Sequence, residues 1–188
     1  GSIYTLLSRF DHLTGALNRH TMSAEAKKLF SRRRSDENIG IMFLDVDKFK
    51  AINDDNGHEF GDACLRNVAS ILMRNVRSND LVGRMGGDEF VVAMPDISQS
   101  ELEQIGSKMV SDARKSFEYK GITARYSISI GYRLSPNGET PQTALHCADL
   151  ALYHAKANGR DSLVEYFPEL DTALNRRREI EATMQTAL

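Results

Sequence analysis

The chain has 188 residues, 41% hydrophobic and 27% charged, with 24 Lys and Arg against 26 Asp and Glu for a formal net charge of −2. That is the profile of one globular domain with a sizeable core and short appendages, without the basic surplus of a nucleic-acid duplex binder. The longest apolar run, residues 39–44, is far too short to cross a bilayer, so no membrane contact is expected. Cys64 and Cys147 stand far apart at apolar positions of helical stretches. They read as buried free thiols of a reducing, cytoplasmic compartment, not as a disulfide or zinc pair.

Gly1-Ser2 at the head reads as the scar of a cleaved tag, and the chain as a piece of something larger. In chain order, residues 3–10 suggest the end of an incoming helix, and residues 11–18 are rich in turn formers. A helix over about 19–34 closes on Arg32, Arg33 and Arg34, a solvated terminus matched to the helix dipole. Residues 38–46, apolar almost throughout, predict a central strand covered on both faces. A polar helix over 48–56 leads through Gly57 to an amphipathic helix over 59–76, its stripe formed by Phe60, Cys64, Val68, Ile71, Leu72 and Val76. Strands over 80–85 and 90–94 flank two glycines. Residues 98–117 predict one helix opened by a capping box of Ser98 and Glu101. Residues 123–134 alternate as one strand, with Ala124, Tyr126, Ile128 and Ile130 on one side. A helix over 141–158 ends at Gly159, and residues 163–166 add a last strand. Residues 168–188 are polar and would make a marginal helix if isolated, with Leu174, Ile180 and Met184 as a thin apolar stripe. The order predicts an α/β fold of the α+β kind, a mixed sheet covered by helices.

Four groups of residues suggest chemistry. Gly86-Gly87-Asp88-Glu89-Phe90 is a hairpin whose glycines permit a tight turn and whose tip lifts two carboxylates with almost no side-chain cover. Such a tip suits a metal-bound phosphate ester; a solvated turn is the plainer reading. The central strand ends in Asp45-Val46-Asp47, two carboxylates on one face at the end where α/β sheets bind ligands. Asp45 is the expected metal residue and Asp47 the expected cap of the next helix. Asn53 and Asp62 flank a helix–turn–helix corner, and an amide with a carboxylate can read a guanine edge. His58 could join them, although a lone histidine at a turn is more often structural and has no partner spacing for a metal. Lys156 and Arg160, four residues apart at a helix end, suit either a polyphosphate or the helix dipole.

The spacing of Asp45, Asn53, Asp62, Gly86–Phe90 and Lys156-x-x-x-Arg160 resembles the GGDEF family of diguanylate cyclases, from about Asp11-x-Leu-Thr-Gly-x-Leu-Asn-Arg19 to Tyr166. The resemblance implies a GGDEF domain over residues 11–167 with a palm-like sheet related to nucleotide cyclases. It implies condensation of two GTP to cyclic di-3′,5′-GMP with release of two pyrophosphates, in a two-fold homodimer with one GTP per domain. It also implies Mg²⁺ or Mn²⁺ held by Asp45, the Val46 carbonyl, Asp88 and Glu89, with Asp88 and Glu89 as the catalytic acidic pair. Asn53 and Asp62, assisted by His58, would contact guanine and ribose, and Lys156 and Arg160 the triphosphate. No residue of this set is degenerate.

Arg77-Ser-Asn-Asp80 matches the family's Arg-x-x-Asp product-inhibition site in pattern and in distance from the glycines. A simple ion pair is the alternative. The tail over 168–188, with Arg176, Arg177 and Arg178, resembles the linker to an EAL phosphodiesterase domain, which implies covalent neighbours: an upstream sensor and a downstream EAL module. The same resemblance keeps a second function in play, a GTP- or cyclic di-GMP-binding regulatory module without useful turnover.

Overall fold

The computed structural model describes the backbone of residues 8–187; the side chains of residues 173–175, 177–179 and 185–187 lie outside the description. Residues 1–7, where most of the expected incoming helix falls, also lie outside it. Elements are named in chain order: α1 (Arg19–Arg32), β1 (Ile39–Val46), α2 (Phe49–Asn56), α3 (His58–Asn75), β2 (Leu81–Gly86), β3 (Glu89–Pro95), α4 (Gln99–Ala113), β4 (Phe117–Tyr119), β5 (Ile122–Ala124), β6 (Ile128–Ser135), α5 (Pro141–Ala157), β7 (Leu163–Glu165) and α6 (Glu169–Ala187).

Local chemistry sets most of these boundaries. The Asn18 side chain accepts from the Thr21 amide at the start of α1. Ser98 and Glu101 close a reciprocal capping box on α4, and Thr140 caps α5 ahead of Pro141. Each cap satisfies amide donors that a helix start leaves open. Gly159, at φ +100, follows the Asn158 cap and lets the chain leave α5.

Five strands form one mixed sheet in the order β2-β3-β1-β6-β7. All its pairs are antiparallel except β6 with β7. β1 sits at the centre and is buried along nearly its whole length, as an apolar run covered on both faces should be. Its alternate residues feed two cores. Met42, Leu44 and Val46 pack with Phe60, Leu65, Val68 and Leu72 of α3 and Leu102 and Met109 of α4. Ile39 and Ile41 pack with Met22 and Phe30 of α1 and Ala144 and Ala148 of α5. The odd-numbered face of β1 is therefore the α5 face, and Asp45 and Asp47 continue it past the apolar stretch.

α5 lies unusually close to the sheet. A Cβ on Gly131 would stand 2.1 Å from the Leu152 amide nitrogen and 2.2 Å from the Ala148 carbonyl oxygen, so only glycine permits this contact. α3 and α4 are joined by a buried carboxylate. Asp112 accepts from the Asn75 amide at 3.0 Å and from Lys108 at 3.0 Å, with Lys115 at 3.4 Å.

Two expectations are corrected. The helix over 98–117 ends at Ala113, and the single strand over 123–134 is broken. Between them β4 and β5 form a separate two-stranded ribbon turned at Lys120 and Gly121, both at positive φ. Phe117 is drawn out of the helix because its ring packs 5.7 Å from Phe60 and 6.1 Å from Tyr126. The tail is helical as expected. Leu170 anchors its first turn in the body at 1% exposure, while Ile180 and Met184 are exposed; the Leu174 side chain lies outside the described residues. No described helix is long and apolar enough to cross a membrane.

Candidate active site

The hairpin between β2 and β3 turns through Gly87 and Asp88. Gly86 (φ +142) and Gly87 (φ +49) both take positive angles, with a register shift between Arg84 and Gly86. Only glycine adopts this pair without strain. Arg84 braces the turn from behind: its Nε donates to the Gly87 carbonyl at 2.9 Å and its Nη1 to Asp11 at 3.1 Å. Sequence reasoning missed this brace, because Asp11 lies 73 positions away.

Across the sheet, Glu89 of β3 and Ser129 of β6 are both register partners of Asp45 in β1. Cross-strand partners share a face, so the hairpin delivers its acidic residues beside the end of the central strand. The Asp45 carboxylate is buried, forms an ion pair with the Lys156 ammonium, and keeps one oxygen, Oδ1, without a hydrogen-bond partner. Its carboxyl is held up at about 6, chiefly by burial, with Lys156 opposing and the charges of Asp88 and Asp47 adding to the rise. A buried carboxylate with an orphan oxygen, among like charges, is chemically suited to a hard cation. The donor set, all oxygen, fits Mg²⁺ or Mn²⁺. Among the described residues no three or more His, Cys, Asp or Glu side chains gather into a ready-made cage. That geometry is compatible with Mg²⁺, which leaves much of its shell to water and substrate phosphates.

Asp47 is the clear correction. The residue at the N-cap of α2 is Lys48, in the left-handed region and without a side-chain cap bond. Asp47 is instead buried and accepts from Ser127 Oγ at 2.6 Å, Ser129 Oγ at 2.6 Å and the Asp161 amide at 2.9 Å. Its partners lie 80 to 114 positions downstream, so local sequence could not reveal them.

The α2–α3 corner forms as expected, turned at Gly57. Asn53 on α2 rests against Gly61 on α3, where a Cβ would stand 1.7 Å from the amide oxygen. That oxygen is buried and unpartnered, a position suited to a ligand's donor. Asp62 and His58 are exposed at the same corner.

Lys156 and Arg160 differ in their surroundings. Lys156, in the last turn of α5, is committed to Asp45, whereas Arg160 lies beyond the helix at φ +59. Arg160 opens onto a polar cleft of about 810 Å³ also lined by Lys48, Arg114 and Arg125. These three cations went unnoticed in the sequence because the fold collects them from three different segments.

Arg77 and Asp80 do form an ion pair, at 2.9 Å, but it is more than a surface contact. The Asp80 side chain is fully buried and accepts from the Arg77 backbone amide at 2.7 Å. The Arg77 guanidinium also donates to the carbonyls of Pro95 at 2.5 Å and Asp96 at 3.3 Å. The pair closes the segment before β2 onto the end of β3, far along the strands from the carboxylate tip.

A family model described as "Diguanylate cyclase, GGDEF domain" matches residues 8–162. Among curated proteins, the chain is 32% identical over 184 residues to the cyclic di-GMP phosphodiesterase PdeR of Escherichia coli (strain K12), covering 97% of this chain and 28% of PdeR. It is 36% identical over 155 residues to the diguanylate cyclase DgcP of Pseudomonas aeruginosa, covering 81% of this chain and 23% of DgcP. The chain thus spans less than a third of either relative. Among solved structures it resembles the GGDEF domain of DgcB from Caulobacter crescentus in complex with c-di-GMP. There the TM-score is 0.80 at 26% identity, over 84% of this chain and 95% of that one. The glycine hairpin on a mixed antiparallel sheet and the family match over most of its length lead to one conclusion: this chain belongs to the GGDEF family of diguanylate cyclase domains.

Proposed function

We propose that the domain is an active diguanylate cyclase, condensing two GTP into cyclic di-3′,5′-GMP and two pyrophosphates. The observation that carries the proposal is the buried Asp45 carboxylate with its free oxygen beside Asp88. A pair of like-charged carboxylates, one of them desolvated, is costly unless a cation is to be bound there. Asp45, the Val46 carbonyl, Asp88 and Glu89 would hold Mg²⁺ or Mn²⁺, which when bound neutralises phosphate charge and favours ionisation of the attacking hydroxyl.

The chain's own groups account for the rest. Asp88, at the bare tip, takes the proton of the ribose 3′-hydroxyl as its oxygen attacks the α-phosphorus and the bond to pyrophosphate breaks. Lys156 and Arg160 hold the triphosphate, and their positive charge stabilises the departing pyrophosphate. Asn53, through the oxygen left open by Gly61, and Asp62 read the guanine edge, with His58 at the ribose side. One domain holds one GTP and cannot present its 3′-hydroxyl in line with its own α-phosphate. Two domains facing each other about a two-fold axis supply both halves. Arg77 and Asp80 bind the product, exchanging their mutual pair for guanine and phosphate contacts.

A second reading is favoured by a specific observation: PdeR, similar along 97% of this chain, is named a phosphodiesterase, and the chain spans only 28% of it. In such a context the domain would bind GTP or cyclic di-GMP and regulate a neighbour through the α6 segment. Incubation with GTP and Mg²⁺ followed by chromatography decides between them. Cyclic di-GMP accumulating over many turnovers is expected; GTP bound but unconverted at every protein concentration would select the regulatory reading.

A further inference from the structure

The chemistry proposed above leaves Asp47 without a task, although it is a buried carboxylate at the mouth of the site. We infer that Asp47 is a positioning residue: its carboxylate latches the turn after α5 to the sheet and thereby aims Arg160 at the substrate's phosphates. The inference rests on the cyclase reading of Arg160.

The turn needs a latch. Gly159, Arg160 and Asp161 follow one another at φ +100, +59 and +51. Two successive non-glycine residues in the left-handed region are unfavourable and persist only where their surroundings over-determine them. Three restraints do so here. The Arg160 amide donates back to the Ala155 carbonyl at 2.9 Å. Arg114, at the C-terminal cap of α4, grips Asp161 from outside, Nε to carboxylate at 2.7 Å and Nη2 to carbonyl at 3.0 Å. From inside, the Asp161 amide is shared between Asp47 Oδ2 at 2.9 Å and Ser129 Oγ at 3.1 Å.

The inner restraint is the one tied to the metal strand. The Asp47 side chain is not needed to join β1 to β6, because the backbone ladder already does so through Asp45 with Ser129, Val46 with Ile128 and the Asp47 amide with Ser127. Its carboxylate adds a third partner, the Asp161 amide, from a different element. Ser127 and Ser129 orient that carboxylate, each at 2.6 Å, and so leave its Oδ2 lone pair facing the turn. α5 is thus mounted at two points. Gly131 seats its middle against β6, and Asp47 pins the chain leaving its C-terminal end. Lys156 then meets Asp45, and Arg160, four residues on, opens into the polar cleft that Asp47 also lines. Sequence spacing alone puts both cations at one helix end; the latch relates the second to the first.

The test is calorimetric titration, in Mg²⁺, of a non-hydrolysable GTP analogue and, separately, of GMP, which lacks the outer phosphates. The proteins are wild type, Asp47→Asn, Ser129→Ala, Arg160→Ala and the double variant Asp47→Asn/Arg160→Ala. Asp47→Asn should weaken the analogue about tenfold, the scale of one well-placed charged contact, and change GMP less than twofold. Ser129→Ala, which keeps the Asp47 carboxylate and its Oδ2 bond to the turn and serves if Asp47→Asn folds poorly, should act in the same direction more weakly. In the Arg160→Ala background Asp47→Asn should cost little more, the non-additivity of two residues acting through one contact. Amide exchange at Asp161 should quicken in Asp47→Asn without nucleotide present. Equal losses for analogue and GMP, or an Asp47→Asn cost undiminished without Arg160, would overturn the latch. If Arg160→Ala leaves the analogue's affinity intact, the phosphate reading of Arg160 fails and the latch falls with it. That outcome is distinct from a latch failure, in which Arg160→Ala weakens binding and Asp47→Asn does not.

Discussion

Asp45 and Asp88 illustrate what a single residue contributes when its surroundings are arranged against it. Burial raises Asp45, the neighbouring carboxylates raise it further, and Lys156 only partly offsets them. Asp45→Asn and Asp88→Asn should each lower turnover by roughly a hundredfold or more, the scale for removing a group that acts mainly in the transition state. Product formation over a GTP time course checks this, and turnover within a few-fold of wild type in Asp88→Asn would remove that residue from the chemistry. Arg77 offers a binding test. Losing its bidentate contacts should weaken cyclic di-GMP by on the order of 1–3 kcal/mol, with the GTP analogue unaffected. Because Arg77 also covers the buried Asp80 carboxylate and two carbonyls, Arg77→Ala should be accompanied by its unfolding midpoint and by Arg77→Lys. Equal product affinities in folded wild type and Arg77→Ala would leave the pair a purely structural fastening. The hairpin from Gly86 to Glu89 and the corner between Asn53 and Asp62 were legible as local structure, because short-range spacing makes them. Asp47 was not, since a carboxylate before a helix looks like a cap until its donors, two strands and a turn away, are known.

Elements were legible where their ends are made locally and illegible where distant packing makes them. Ser98 with Glu101, and Gly159 beyond α5, announce their helices because cap and capped amide lie within four residues. The β4–β5 ribbon was missed because strands of three residues have little intrinsic signal, and Phe117 is held there by rings from α3 and residue 126. Two predictions concern contacts between elements. Gly61→Ala places a methyl where the Asn53 oxygen now sits. It should expel that side chain and weaken GMP binding about tenfold, the worth of a hydrogen bond to a buried partner; unchanged GMP affinity would show that Asn53 does not read the base. Asp112 couples α3 to α4 in a way that pH reveals. The Asn75 amide is the main cause holding its carboxyl down to about 2, opposed by burial and helped by Lys108 and Lys115. Its folded value lies below the unfolded one, so its contribution is complete above pH ~3.9 and is lost as pH falls through about 2. Asp112→Asn should therefore cost about 1–2 kcal/mol at neutral pH and flatten the decline in stability below pH ~4. Denaturant midpoints measured across that range check it, and parallel pH profiles for the two proteins would contradict it.

At the scale of the molecule, the Asp45 end of the central strand, the hairpin carboxylates and the last turn of α5 meet at one end of one sheet, which on the proposed reading is half of a two-domain site. The Asp45 face of β1 carries α5 with its cations, while the opposite face carries the core of α3, whose first turn forms the corner with α2. On the proposed reading one domain holds one GTP, and the attacking oxygen would come from a second domain. Among the described residues the exposed large apolar side chains form small groups: Phe10 and Met73 line one pocket, Ile180 and Met184 stand one turn apart on α6, and Ile122 and Phe167 lie on separate segments. Encounter between two GTP-loaded copies should then be weak and limited by concentration. Specific activity is expected to rise with protein concentration, nearly in proportion while monomer dominates and levelling only where dimer does. A dilution series read with a coupled pyrophosphate assay, alongside light scattering at each concentration, measures both quantities together. Activity per milligram that stays flat while scattering reports monomer throughout would mean that one domain completes the reaction alone, and the two-fold site would have to be abandoned. A rise that tracks the dimer fraction would identify assembly as the step any upstream module has to control.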